Sequence, residues 1–400
     1  MDRIDFTPAV RRVIQERAGN RCSYPTCGIV TTSAALEPAA SLRTGIAAHI
    51  YSAAPAGPRG RGGLSDDEIG DATNGIWLCG RHAKMIDDNG GLGHPSATLL
   101  SYRDLHEARI RGEHLGLYPA VGWLHQIEFA KGPIFASGAK VQFGKLNLLF
   151  GANATGKTTL WRLALGAFDP RHLGTWLAHP SEQDVRLSYL RPQPTSIRMQ
   201  IGSDGSVGTE VDGRRVPFNP LPLRTIAISD LRRPHDDRDD RKWLSELLSL
   251  PELVIDKLAA SVDSFPHTRV RNLRFETSED GVQLHSDVAG TVPGLSFRAL
   301  SGREQERVVI EFATAAARAS GEYSPTLLVM DFPPILWDGW SEFYANHLLD
   351  PTNQFQTIMC MPSQHLDLDM VRWNGWNVIR TKGSRGAVTF SEDPRETTVA

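Results

Sequence analysis

Apolar positions along the chain change rhythm near residue 120. Before it they are scattered among turn formers: a Gly/Pro-rich stretch runs from Ala53 to Gly63, and a helical pattern with mixed charges spans Ser101 to His114. From Trp123 onward, short apolar runs such as Gln126–Ala130 and Lys145–Phe150 are separated by turn signals and alternate with helical segments, which predicts an α/β sheet. The Pro and Gly residues between Gly116 and Gly122 punctuate rather than propagate structure, so the chain divides into 1–118 and 119–400. The pattern predicts helices over Arg307–Ala317 and over Arg241–Ser261, the latter interrupted by Pro251. No apolar heptad is sustained between residues 160 and 300, which argues against a long coiled-coil arm. Asp230 to Lys242, crowded with charges of both signs, reads as a solvated loop. No internal repeat is present.

Composition narrows the class. Four hundred residues, 40% apolar and 22% charged, can bury real cores. No run approaches the roughly 18 consecutive apolar residues of a membrane span, and Met1-Asp-Arg-Ile-Asp5 lacks an apolar leader, so the expectation is a cytoplasmic protein with no membrane partner. Lys and Arg number 43 against 46 Asp and Glu, for a net charge of −3. Residues 1–118 carry 13 of each sign. Bulk charge therefore supplies no attraction to nucleic acid and leaves only local patches, such as Arg59, Arg61 and Arg81, which equally read as loop charges. Three of the four cysteines fall in the first 80 residues, a distribution that suits metal better than disulfides.

The strongest chemistry is Gly151-Ala-Asn-Ala-Thr-Gly156-Lys157-Thr158-Thr159, which fits G-x-x-x-x-G-K-[ST] between an apolar strand and a helical pattern. Gly151 and Gly156 permit the tight turn that aims backbone N–H groups at phosphate. Lys157 reaches the terminal phosphates, Thr158 ligates Mg²⁺, and Asn153 and Thr159 belong to the same cradle. Downstream, Leu300-Ser301-Gly302-Arg-Glu-Gln305 opens a helix, and Thr326–Asp331 is an apolar strand ending in a carboxylate. Together these motifs resemble the ABC/SMC-like ATPase family over about 123–400. The resemblance implies an α/β P-loop head that binds ATP with Mg²⁺ on Thr158 and Asp331. It implies that Ser301 and Gly302 reach nucleotide held by a second head, and that Asp338 stands in the D-loop, so the expected partner is another copy of the chain. Phe332 stands where the family carries its catalytic glutamate and Pro362 where it carries a switch histidine, with His365 three residues on. Neither Phe nor Pro can activate water, so hydrolysis is expected to be weak or absent.

Cys22-Ser-Tyr-Pro-Thr-Cys27 and Cys79-Gly-Arg-His82 offer three thiolates and one imidazole, a donor set for structural Zn²⁺, with buried unligated cysteines as the alternative. Cys360 reads as ordinary core. Around the front ligands, Ala48-His49-Ile50 and Asn74-Gly-Ile-Trp-Leu-Cys79 resemble a small HNH-type (ββα-metal) endonuclease domain with a zinc knuckle, over about 5–118. The resemblance implies that His49 is a general base and that Asn74 braces the site. Ala48 and Ala83 stand where that family often carries metal ligands, and Asp87, one helical turn beyond position 83, is placed to hold a nuclease metal. A solvated helix end is the plain reading of Asp87-Asp88.

Such fusions resemble bacterial anti-phage defence systems of the Septu type. Two functions follow as expectations: an ATP-regulated HNH nuclease cutting DNA or RNA, or a non-enzymatic ATP-sensing scaffold whose zinc module recognises nucleic acid or a companion protein. A transporter head fits less well, since nothing suggests a membrane partner.

Overall fold

The computed structural model describes residues 3–115, 122–191, 193–231, 233, 238–278, 281–331, 340–350, 352–362 and 367–391. Phe332, Asp338 and His365 lie outside the described residues.

The chain opens with α1 (Pro8–Arg17), whose proline sits at the first turn and whose Thr7 hydroxyl accepts from Val10 N–H at 3.2 Å. A small hairpin follows, β1 (Thr32–Ala34) and β2 (Ser41–Arg43), then β3 (Gly45–His49), α2 (Asp66–Ile69), β4 (Gly75–Cys79), α3 (Gly80–Met85) and α4 (Ser96–His114). β3 and β4 pair antiparallel with His49 opposite Gly75, and α3 leaves β4 directly, giving a strand–strand–helix unit. Alternation along β4 serves two small cores: Ile76 and Leu78 join Ile50, Ile69 and Ile86, while Trp77 turns to Phe6 and Ile14. α4 starts five residues earlier than the charge-rich pattern suggests, because Ala97 and Leu99 extend its buried face back to Pro95.

The larger part comprises β5 (Trp123–Lys131), β6 (Ala139–Gln142), β7 (Leu146–Gly151), α5 (Lys157–Gly166), α6 (Gly174–Ala178), β8 (Gln183–Arg191), β9 (Gln193–Ile201), β10 (Val207–Val211), β11 (Arg214–Val216) and β12 (Arg224–Ile228). It continues through α7 (Asp240–Leu248), α8 (Glu252–Val262), β13 (Val270–Ser278), β14 (Gly281–Val288), β15 (Leu295–Ser296), α9 (Gly302–Gly321), β16 (Thr326–Met330), α10 (Trp340–Leu348), β17 (Phe355–Pro362), α11 (Leu368–Trp373), β18 (Asn377–Lys382) and β19 (Thr389–Ser391). The main sheet runs β12-β16-β17-β7-β18-β19 and is parallel except for β19. It is covered on both faces, which explains its near-continuous apolar strands. Leu146, Leu148 and Phe150 of β7 face the layer of α7, α8 and α9, whereas Leu149 faces α5 and the antiparallel sheet β11-β10-β9-β8-β5-β6.

Pro251 divides α7 from α8 as the sequence predicts, with Ser249 left-handed at the break. Among the described residues the longest helix is α9, at 20 residues, and no helix is long and apolar enough to cross a membrane. The solvated-loop expectation for Asp230–Lys242 needs correction at its end. Asp240 opens α7 fully buried, accepting Leu284 N–H at 2.7 Å and pairing with Arg233 and, at 3.5 Å, with Arg298. Two arginines and a strand amide neutralise a carboxylate that composition alone places in water.

Two joints tie α4 and its surroundings to the larger part, one at the start of β7 and one at the end of α11. Lys145 N–H donates to Ser101 Oγ at 2.6 Å, and the buried Lys145 ammonium stands 3.7 Å from Asp104 and 3.4 Å from Asp350 O. Tyr51 OH donates to Trp373 O at 3.0 Å. On the same helix, Arg109 donates to His106 Nδ1 at 2.8 Å, leaving Nε2 to donate to Ala18 O at 2.9 Å, a neutral tautomer. Burial holds His106 down to about 4 from its ordinary 6.5. The unfolded chain therefore takes up this proton first, and stability is lost as pH falls from about 6.5 to about 4, by on the order of 3 kcal/mol. Melting temperature across that window will fall more steeply for the wild type than for His106→Gln.

Candidate functional site

The loop after β7 has the shape a phosphate cradle needs. Gly156 is left-handed (φ +80°) and precedes α5, whose first turn carries no side-chain cap. At Gly151 a Cβ would come within 2.2 Å of Thr381 Oγ1, so only glycine fits beneath β18. Thr155 holds the loop's inner side, donating to Ala152 O at 2.7 Å and lying 2.6 Å from Thr381 Oγ1. Lys157 Nζ donates to the carbonyls of Gly151 (2.7 Å) and Ala152 (2.8 Å), and partial burial lowers its pKa. Asn153 is exposed and Thr159 half-buried along the same loop and first turn.

Asp331 directly follows β16, its N–H on Ile228 O at 2.7 Å. One carboxylate oxygen accepts from Thr158 Oγ1 at 2.6 Å and from Trp161 Nε1 at 2.9 Å. Trp161 was missed in the sequence, where an indole four residues after the motif lysine reads as core. Pro362 closes β17 opposite Gly151, beside the cradle. Ser301 and Gly302 are exposed at the start of α9, where Glu304 accepts Ser301 N–H at 2.7 Å and Gln305 donates to Phe297 O and Leu300 O. A short turn joins α9 to β16. Cys360 is buried on β17.

In the amino-terminal part, the donor atoms of Cys22, Cys27, Cys79 and His82 all lie within 4.8 Å of one another, with His82 Nδ1 3.2 Å from Cys79 Sγ and 3.5 Å from Cys22 Sγ. Zinc bonds of about 2.3 Å to sulfur and 2.0 Å to nitrogen fit inside such a set, so these residues suit a tetrahedral ion. Burial pushes the Cys22 thiol up to about 12. Tyr24, between the first two cysteines, stacks on the His82 ring at 4.2 Å and meets Tyr102 of α4 edge-on. Among the described residues no other group of three or more His, Cys, Asp and Glu side chains is close enough to share an ion.

His49 ends β3 with its ring stacked on Phe6 at 3.7 Å. Its Nε2 is out of solvent without a hydrogen-bond partner, and desolvation, aided by Arg3, lowers its pKa to about 4. The ring lines a cleft of about 840 Å³ together with Arg3, Arg11, Arg12, Arg43 and Trp77. Arg3 pairs with Asp5 and Arg12 with Glu16, whereas Arg11 and Arg43 are exposed. Asn74 is buried away from this cleft: its amide accepts Tyr51 N–H at 2.8 Å and donates to Tyr51 O and Ile69 O, fixing the chain after β3. Asp87 accepts from Arg59 at 2.6 Å. Of the three arginines considered as a phosphate patch, Arg59 turns inward, Arg61 pairs with Asp66 at 2.8 Å, and Arg81 is exposed.

No protein-family model and no curated protein matches the chain. Among solved structures it is similar to an Smc head domain with an extended coiled coil bound to the C-terminal domain of ScpA, from Pyrococcus furiosus (15% identity, TM-score 0.45, 68% of this chain and 96% of that one). It is also similar to the SMC head domain from Thermotoga maritima (12%, 0.39, 67% and 98%) and to the recombination mediator RecF with ATP (14%, 0.40, 68% and 99%).

Proposed function

We propose that this chain is a nucleotide-sensing switch that holds ATP–Mg²⁺ at a seam between two copies and signals its presence to a zinc-stabilised amino-terminal module that binds nucleic acid. The contact between Thr158 and Asp331 carries the reading, because it joins the two groups that share a magnesium ion in P-loop proteins. Gly151, Asn153, Gly156, Lys157 and Thr159 cradle the phosphates, and Ser301 and Gly302, exposed at the start of α9, meet the partner's nucleotide. Asp338 belongs to the same proposed seam. With Pro362 beside the cradle and Phe332 after Asp331, turnover is slow, so bound ATP acts as a signal. Arg11 and Arg43, exposed at the cleft beside His49, give it its grip on a phosphate backbone. The resemblance to Septu-type systems makes phage defence the setting we propose, with a companion subunit compatible with it.

The test is light scattering on the purified chain. Pairing is expected with ATP and Mg²⁺ but not without, and Ser301→Arg abolishes pairing while ATP affinity, compared at protein concentrations too low for pairing, stays within about threefold. Phosphate release is expected below about 1 s⁻¹. A chain that stays monomeric at saturating ATP overturns the seam.

A second reading, an HNH-type nuclease with His49 as base, is favoured by a ring that lines the cleft, stays neutral at neutral pH and has an Nε2 without a hydrogen-bond partner. Cleavage of plasmid or single strands that vanishes in His49→Ala would establish it.

A further inference from the structure

Between the end of β3 and the end of α3 the chain buries a guanidinium. The Arg59 side chain is 5% exposed. Its Nε donates to Ile50 O at 2.8 Å, Nη1 to Ile86 O at 2.7 Å, and Nη2 to His49 O at 3.2 Å and Asp87 Oδ1 at 2.6 Å. The turn that delivers it is specialised. Arg59 and Gly60 are both left-handed (φ +65° and +63°), a conformation uncommon for any residue but glycine, and Ser52 N–H ties Gly60 O back to the strand exit at 2.7 Å. At Gly91 a Cβ would press within 2.5 Å of Arg59 Nη1, so the pocket around the fork has no spare room.

The ββα-metal resemblance puts a divalent ion in this neighbourhood, held from positions 48 and 83 with Asp87 assisting. The residues present do not fit one. Ala48 and Ala83 have no donor atoms and lie together in the apolar core with Ile50, Ile76 and Ile86. Asp87 is already engaged, and an ion on its carboxylate would face a permanent positive charge within hydrogen-bond distance of the same group. Four oxygens, three carbonyl and one carboxylate, converge on Arg59 as oxygens converge on a hard cation, but they meet a planar fork instead of an octahedral ion.

We propose that Arg59 takes the structural place of that ion: a resident cation that ties the end of β3 to the end of α3, with Asp87 as its counter-charge, so that the cleft beside His49 works without a divalent metal. The statement about the cleft rests on the nucleic-acid reading above; the statement about Arg59 does not.

The experiment uses the full chain, zinc-loaded and nucleotide-free. Manganese titrated against it and followed by electron paramagnetic resonance is expected to show no stoichiometric bound ion. One Mn²⁺ per chain, lost in Asp87→Asn, overturns the proposal. Arg59→Lys keeps the charge but not the fork, and is expected to lower the melting temperature of the amino-terminal module by on the order of 10 °C. An unchanged melt overturns the proposal, and if that variant fails to fold, the wild-type manganese result decides alone. A labelled oligonucleotide is expected to bind with affinity equal within about twofold with and without Mg²⁺ at constant ionic strength. A tenfold gain with Mg²⁺ overturns metal independence, whereas no binding under any condition sinks the nucleic-acid reading and leaves Arg59 to be judged by the manganese titration.

Discussion

Cys79→Ser will release the zinc and melt the amino-terminal cores while leaving the α/β part folded. The wild-type chain is expected to contain about one zinc per molecule. The cores behind the cluster are small, one built on Ile50, Ile69, Ile76, Leu78 and Ile86 and the other on Phe6, Ile14 and Trp77. A structural zinc site contributes an apparent 10–16 kcal/mol, roughly, in the smallest domains, which matches or exceeds the entire stability of a typical domain at about 5–15 kcal/mol. His82 would also lose the ion that fixes its ring against Tyr24, and with it the contact that Tyr24 relays to Tyr102 on α4. Metal analysis and amide exchange read the two parts separately. Exchange protection at Ile76 and Leu78 should collapse, while that at Leu148 and Leu328 should persist. A variant that retains both zinc and protection would show that the cluster is an unligated group of core cysteines.

Lys157→Ala will cost at least about a hundredfold in ATP affinity, roughly 3 kcal/mol, with little change in thermal stability. The ammonium touches only the loop carbonyls of Gly151 and Ala152, so its removal leaves no buried charge unpaired. The energy at stake is its attraction to the terminal phosphates. Calorimetric titration gives the affinity, and light scattering on the same samples will show that ATP-dependent pairing disappears with it. Affinity within a few-fold of the parent would remove the cradle as the nucleotide site and with it the switch.

The strand–loop–helix geometry around Gly151–Thr159 was legible because every part of it is local: glycines, lysine and threonine within nine residues, between a strand and a helix that the apolar pattern marks independently. The cysteine–histidine set was legible for a related reason, since each half is short and the donor chemistry restricts the partner. What escaped the sequence depends on distant chain. Asp240 sits among charges that look alike on paper, and only the approach of Leu284 and Arg298 takes it out of water. Arg59 lies in a Gly/Pro stretch that reads as an exposed loop, because nothing in composition signals a left-handed turn folding a guanidinium inward. Trp161 carries a polar edge whose acceptor comes 170 residues later. The β11-β10-β9-β8-β5-β6 sheet was visible only as short apolar runs; its order is set by pairing across hairpins and by the return of β8 to β5.

Lys145 and Gly151 bracket β7, a tether too short and too fully hydrogen-bonded to stretch. Its near end is pinned by a helix that also leans on the cysteine cluster, and its far end begins the loop proposed to cradle phosphate. One strand thus connects the loop after β7 to the pinned lysine without a break. Cutting the chain near residue 118 would leave β7 whole but take Asp104 away from the buried Lys145 ammonium, with Asp350 as its remaining carboxylate neighbour, so the two halves are better studied joined.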